Sequence, residues 1–269
     1  MKVDVLGSGS RGNAIVVDGQ DGEGSVLVDC GFGPRILAGR MKAAGVRPQD
    51  VQAVIVTHEH ADHVAGLHKA VRRWKWPVAA TAGTAAEMSQ PPTLTHKLVS
   101  GRVLRLAGLS IETMRTPHDA AESVAFLVTH DRSGARLGLV YDLGHWTPSM
   151  AERLQGLDAI ILESNHDSEM LQYGPYPAFL KARVAGAKGH LSNVDAGGLA
   201  RRVVHRGLGT IVLAHLSEQN NTPAVAMQTM KTALQGSAFR GRLGAAHQDR
   251  PIQFFVGAGR QSRQLALDL

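Results

Sequence analysis

The run Thr57-His58-Glu59-His60-Ala61-Asp62-His63 constrains this chain more than any other stretch, because it places three imidazoles and a carboxylate in seven consecutive positions. It directly follows a mostly apolar, β-type run, Val51-Gln52-Ala53-Val54-Ile55-Val56. On extended chain leaving a strand, residues two apart project to one side, so His58 and His60 share a face. Asp62 and His63 fall where the spacing of Val64, Leu67 and Val71 turns helical, on the first turn of that helix. Imidazole with carboxylate suits zinc, iron or manganese. The different directions of the two pairs favour two neighbouring ions over one. A helical H-E-x-x-H protease site is excluded, since position 62 is aspartate.

With 269 residues, 43% hydrophobic and 19% charged, the chain has the composition of a globular protein with a real core, as one large α/β domain or two small ones. Lys and Arg outnumber Asp and Glu by 29 to 23, and from Lys181 onward twelve basic residues stand against four acidic ones. That balance favours an anionic partner, although a solvated basic face has the same composition. A single cysteine, Cys30, excludes an internal disulfide framework and a thiolate zinc knuckle. In Val28-Asp29-Cys30-Gly31 the thiol reads as buried packing and Asp29 as a support for the metal loop. Asp4 and Gly7 interrupt the N-terminal apolar pattern, and no later run approaches membrane-spanning length. A soluble, cytoplasmic protein with no membrane association is expected.

Strand-like runs at 2–6, 13–18 and 25–29, separated by glycine-rich turns, predict a meander of paired strands. A helix fits 35–44, between Pro34 and Gly45, and another runs from the metal cluster to about Arg73. Further strands are expected at 103–106, 109–115, 123–129, 136–141, 158–163, 210–214 and 252–256, with helices at 177–184, 194–204 and 223–234. Two sheet halves with helices outside make a four-layer α/β sandwich over residues 1–257, followed by a tail, 258–269.

Four more segments share one form, an apolar strand followed at once by polar, metal-type residues. They are Thr116-Pro117-His118-Asp119, Tyr141-Asp142-Leu143-Gly144, Leu162-Glu163-Ser164-Asn165-His166-Asp167 and Ala214-His215-Leu216-Ser217. Strand ends are where α/β proteins build sites, because the sheet fixes position while loops tolerate polar groups. With the first cluster, these segments resemble the metallo-β-lactamase superfamily, in its dinuclear phosphodiesterase branch that includes ribonuclease Z. The likeness covers nearly the whole chain and implies the αββα sandwich of that family. It narrows at Gly7-Ser8-Gly9-Ser10-Arg11-Gly12-Asn13, Glu163-Ser164-Asn165-His166-Asp167, Gly189-His190-Leu191-Ser192-Asn193 and 214–221. These stretches are similar to the YycJ/WalJ-type group, described as 5′→3′ exodeoxyribonucleases.

The resemblance implies a dinuclear-metal nuclease acting on DNA, with two divalent ions, Zn2+, Mn2+ or Fe2+. His58, His60 and His118 match the ligands of the first ion, Asp62, His63 and His215 those of the second, and Asp142 the bridging carboxylate. Asp62 counts with His190 and Glu163 as catalytic, His190 as proton donor to the leaving oxygen and Glu163 as the group orienting it. His145-Trp146 departs from the pattern, being bulkier than expected beside the bridging aspartate, and bears on substrate fit. Ribonuclease Z carries a long tRNA-gripping arm between the ligands that match His118 and Asp142. Only a short strand-loop-strand fits there in this chain. RNA processing and hydrolysis of a small ester, thioester, lactone or cyclic phosphate are the alternative activities, and an adaptor with a relic site is the non-enzymatic one.

Gly7 to Gly12 satisfies G-x-G-x-x-G, but strand rather than helix follows it, which excludes a dinucleotide site. The loop is either a plain turn or a phosphate cradle built from Ser8, Ser10, Arg11 and Asn13. Asn165, His166, Ser192 and Asn193 join these as candidate substrate contacts. The final six residues, Gln264 to Leu269, resemble the Q-x-x-L-x-L peptide that docks on the bacterial DNA sliding clamp. On that reading Gln264, Leu267 and Leu269 make the contact. The competing reading is a strand whose alternate leucines pack on the body.

Overall fold

Alternation along the strands sorts the apolar residues into three separate cores, and three cores imply four layers. The computed structural model describes residues 1–90 and 93–257. One sheet contains β1 (Lys2–Gly7), β2 (Ala14–Asp18), β3 (Ser25–Val28), β4 (Val51–Ile55), β5 (Val78–Ala80) and β6 (His96–Lys97). The other contains β7 (Val103–Leu106), β8 (Leu109–Arg115), β9 (Val124–His130), β10 (Arg136–Val140), β11 (Ala159–Glu163), β12 (Thr210–Ala214) and β13 (Arg242–Ala245). The last strand, β14 (Ile252–Phe255), returns to the first sheet beside β1.

Ile15 and Val17 of β2 face Phe126 and Val128 of β9 across the central core, whereas Ala14 and Val16 turn outward. In β11, Ala159 and Ile161 point inward and Ile160 and Leu162 outward. Because the outer faces are apolar too, helices must cover them. The helices are α1 (Pro34–Ala43), α2 (Ala61–Val64), α3 (Leu67–Trp74), α4 (Ala82–Glu87), α5 (Pro148–Arg153), α6 (Ser168–Tyr173), α7 (Ala178–Val184), α8 (Asn193–Val203) and α9 (Pro223–Ala233). Leu37 and Met41 of α1 and Leu67 and Ala70 of α3 close the outer core of the first sheet. Helices α5, α8 and α9 close that of the second, through Leu199, Val203 and Met230 among others. The αββα sandwich expected from the sequence is therefore present. No helix of the described residues is long and apolar enough to cross a membrane.

Strand direction decides where a site can form. β10 to β13 run parallel, and β8 shares their direction because antiparallel β9 lies between β8 and β10. The C-terminal ends of β8, β10, β11 and β12 thus share one edge of the second sheet. All four metal-type segments leave from that edge.

Several expectations are corrected. The helix expected from the metal run to Arg73 is two helices, because Gly66 N donates to Cys30 O, 2.9 Å away, instead of continuing the helical ladder. A Cβ at Gly66 would lie 1.8 Å from Phe32 O, so this close approach requires glycine. Strands β5, β6 and β13 and helices α4, α5 and α6 are additional to the expected set. Residues 258–269, with the candidate clamp contacts Gln264, Leu267 and Leu269, lie outside the described residues.

Candidate metal centre

His60 Nδ1 approaches His118 Nε2 to 3.2 Å, and His58 stands against both rings, at centroid distances of 4.6 and 4.9 Å. A second group lies beside them. Asp62 Oδ2 is 3.2 Å from His63 Nε2 and 3.1 Å from His215 Nε2. Asp142 reaches both groups, with Oδ2 3.1 Å from His63 Nε2 and Oδ1 4.0 Å from His118 Nε2. Within each trio, one side-chain donor atom per residue lies within 4.8 Å of the others, which is the spacing a metal ion requires. Asp142, His215 and the supporting Asp29 each follow a strand and hold a left-handed φ, between 54° and 58°. That conformation is sparsely populated by residues other than glycine and turns the chain sharply as each strand ends.

The imidazoles are oriented from behind. Asp29 Oδ2 accepts from His63 Nδ1 at 2.8 Å and from Tyr141 OH at 3.0 Å. Thr57 Oγ1 donates to the Asp29 carboxylate, which leaves the same oxygen to accept from His58 Nδ1 at 3.0 Å. Gly189 O, which can only accept, fixes the proton of His118 on Nδ1 at 3.0 Å. His58 and His118 therefore present unprotonated Nε2 atoms to the cluster. Burial pushes both pKa values down and keeps these rings neutral. Buried His58 Nε2 and Asp142 Oδ2 have no hydrogen-bond partner among the described residues. Such atoms are costly unless something accepts their lone pairs, and a divalent cation does so. The residues present fit metal.

Charge supports the same fit. Burial opposes a charged His63, yet Asp142, Asp29 and Asp62 outweigh it and hold its pKa well above the usual value. His215, likewise opposed by burial, is raised to about 10 by Asp142 and Asp62. Burial works against the Asp62 carboxylate, but His63 and His215 keep it below the usual carboxylate range. Carboxylates and imidazoles thus favour one another's charged forms within the cluster, and metal binding would displace the protons of its imidazoles.

Glu163, buried at the end of β11, accepts from Leu143 N at 2.9 Å and lies 2.7 Å from His190 Nδ1. Burial disfavours protonated His190, but the Glu163 carboxylate outweighs it and raises the pKa. His190 forms part of the wall of a cleft of about 330 Å³, beside Asp142 and His215. Ser10, Leu180 and Arg183 also line this cleft.

The eight candidate substrate contacts divide by burial. Ser10 is exposed in the cleft lining, whereas exposed Arg11 is engaged by Glu218 at 2.7 Å and Asp249 at 2.6 Å. The other six are buried and brace the centre instead. Ser8 Oγ accepts from His215 N at 2.9 Å, and Asn13 Nδ2 donates to Asp62 Oδ2 at 3.2 Å. Asn165 Nδ2 donates to His215 O at 2.9 Å, and His166 O accepts from Asn193 N. Ser192 caps α8 by accepting from Asp195 N, and Asn193 shares its amide with Asn221. Ser8, Asn13, Asn165, Ser192 and Asn193 thus commit their side chains to fixed partners, whereas buried His166 Nδ1 has no hydrogen-bond partner among the described residues. His145 and Trp146 do not line the cleft. Their side chains bond to the carbonyls of Ala187 and Asp195. Sequence reasoning gave no role to Thr57, Tyr141, Asp119 or Arg183, although the first three are immediate neighbours of assigned residues. Cys30 is fully buried, and burial pushes its thiol up to about 12, as packing requires.

A profile described as the metallo-beta-lactamase superfamily matches residues 7–131. A protein named exodeoxyribonuclease YycJ, from Bacillus anthracis, is 35% identical over 240 residues, 87% of this chain and 89% of that one. The chain belongs to the metallo-β-lactamase superfamily. Its likeness to exodeoxyribonuclease WalJ of Streptococcus pneumoniae is 29% over 240 residues, again 87% of this chain and 88% of the other. Among solved structures, the metallo-β-lactamase-fold protein YhfI from Bacillus subtilis superposes with a TM-score of 0.69 at 19% identity, covering 93% of this chain and 98% of that one. This superposition establishes the superfamily fold alone.

Proposed function

We propose that this chain is a two-metal phosphodiesterase that degrades DNA from a strand end, a 5′→3′ exodeoxyribonuclease serving repair or replication in the cytoplasm. The observation that carries the reading is the placement of Asp142 between the His58, His60, His118 and Asp62, His63, His215 groups, with the His190–Glu163 pair beside it. When bound, divalent ions such as Zn2+, Mn2+ or Fe2+ supply Lewis acidity toward a phosphate oxygen and bring the acidity of water toward neutrality. The chain's own residues do the rest. His190 directs Nδ1–H to Glu163, whose charge favours a second proton on Nε2, the one it would give to a leaving oxygen, while the buried Ser8, Asn13 and Asn165 keep Asp62 and His215 from turning away. The assignment as a metal-dependent hydrolase rests on superfamily membership. The choice of DNA draws on the names of the two relatives and on the net charge of +6. Between His118 and Asp142 the chain forms only the β9–β10 hairpin, which leaves no arm for a folded RNA.

The test uses protein stripped of metal, reloaded with manganese or zinc, and offered 5′- and 3′-labelled single- and double-stranded DNA and RNA. Release of mononucleotides from DNA 5′ ends is expected. Inert nucleic acids alongside rapid thioester or lactone turnover would sink the proposal. Clamp docking through Gln264, Leu267 and Leu269 is a separate proposal from the sequence pattern. Deleting Gln264 to Leu269 is expected to abolish binding to a sliding clamp and retain intrinsic nuclease activity, and unchanged binding would refute it.

A further inference from the structure

Helix α7, Ala178-Phe179-Leu180-Lys181-Ala182-Arg183-Val184, supplies Leu180, Arg183 and Val184 to the cleft wall. It is tied closely to the centre. His190 N donates to Val184 O at 2.9 Å, and Asp119 N donates to Lys188 O at 3.0 Å. Gly189 packs so closely that a Cβ there would lie 2.2 Å from the carbonyls of Arg183 and Val184. Whatever α7 holds is therefore held at a fixed place relative to His190.

Arg183 is the only Lys or Arg in the cleft lining among the described residues. Its Nε donates to Asp119 Oδ2 at 2.6 Å, while the side chain stays 61% exposed. One edge of the guanidinium is thereby anchored, and its terminal nitrogens are left for a second anion. A planar fork of this kind matches phosphate oxygens. Phe179 precedes Arg183 by four residues, so the two side chains are neighbours on one side of the helix. Phe179 is 75% exposed. A lone exposed aromatic needs no explanation by itself. Beside a half-free arginine at the mouth of a phosphodiesterase cleft, it offers a base-stacking surface next to a phosphate grip.

The geometry points to α7 as a guide for single-stranded DNA, with Arg183 holding a phosphate adjacent to the scissile one and Phe179 stacking on an unpaired base. The inference rests on the nuclease reading and names the form of DNA that enters. Bases in a duplex hide their faces on one another, so the aromatic contact selects an unpaired strand.

The test is binding, read by fluorescence anisotropy of a labelled single-stranded oligodeoxynucleotide and its duplex, on the full chain in EDTA so that no turnover occurs. Wild type is expected to bind the single strand more tightly. Phe179→Ala should weaken that binding roughly 5- to 150-fold, the usual worth of one stacked base, and leave duplex binding near its original level. Phe179→Trp should restore it, and Phe179→Leu, apolar without a π face, should not. Arg183→Gln should weaken both forms and reduce the salt slope by about one. Unchanged affinity in Phe179→Ala and Arg183→Gln, equal wild-type affinity for both forms, or no wild-type binding would each overturn the inference. Metal-reloaded protein that binds the strand as described and leaves it intact would support the guide and overturn the nuclease reading.

Discussion

Asp142→Ala is expected to empty the centre of metal and abolish hydrolysis, with His60→Ala showing a smaller loss of metal. Asp142 is buried, reaches both histidine groups, and keeps Oδ2 without a hydrogen bond among the described residues. The next carboxylate inward, Glu163, is already engaged by Leu143 N and His190. Removal of Asp142 also takes from the cluster a buried negative charge that attracts a cation. His60 is different. Its side chain is 29% exposed, and water can take its place more readily. Elemental analysis of purified variants gives the metal content directly. Thermal unfolding gives a second readout, because metal at a hundredfold its Kd stabilises the native state by about 2.7 kcal/mol, roughly 5 to 10 °C for a chain of this size. Wild type should show that rise and Asp142→Ala should not. Full metal content and activity in both variants would remove these residues from the centre.

The site was legible because its residue types are rare together and its chain positions follow strands. Three histidines and an aspartate in seven residues have no ordinary packing use, and His118, Asp142, Glu163 and His215 each stand at the end of an apolar run. The sheet brings such ends to one edge, so sequence adjacency to a strand carries three-dimensional information. The supporting shell was less legible. Thr57 and Tyr141 use common hydroxyls, and their value lies in the angle at which they meet Asp29, which no spacing encodes. Ser192 and Asn193 show why polarity alone does not mark a contact. Their polarity signalled a helix cap and a buried amide pair, which look the same in sequence as exposed contacts. Missed strands were short or at the margin. Val78-Ala79-Ala80 has three residues and pairs with β4 through only two of them, too little to show a period of two. Arg242–Ala245 carries one large apolar residue, Leu243, and is made a strand by its neighbour β12 rather than by its own composition.

His190→Ala is expected to slow cleavage of a natural phosphodiester by about 100- to 10,000-fold while leaving metal content intact. His190 Nδ1 is 2.7 Å from Glu163 Oε1 and 3.4 Å from Asp142 Oδ1, so it borders the centre, with the Glu163 carboxylate fixing Nδ1–H and favouring the further proton on Nε2 that an acid would give up. A ligand role predicts metal loss on substitution; a proton-donor role predicts retained metal and a rate that depends on the leaving group. Nitrophenolate departs without protonation, so a nitrophenyl phosphodiester should keep most of its rate in the variant. The pH dependence has a definite sign. An acid catalyst must carry its proton, so the rate with a poor leaving group falls as pH rises through the His190 pKa, which Glu163 holds above the ordinary value against the effect of burial. Glu163→Gln removes that carboxylate and should move the alkaline limb to lower pH, with a smaller loss of rate than His190→Ala at acidic pH. Equal losses on natural and nitrophenyl substrates, or an alkaline limb that stays in place in Glu163→Gln, would show that His190 shapes the cleft without supplying the proton.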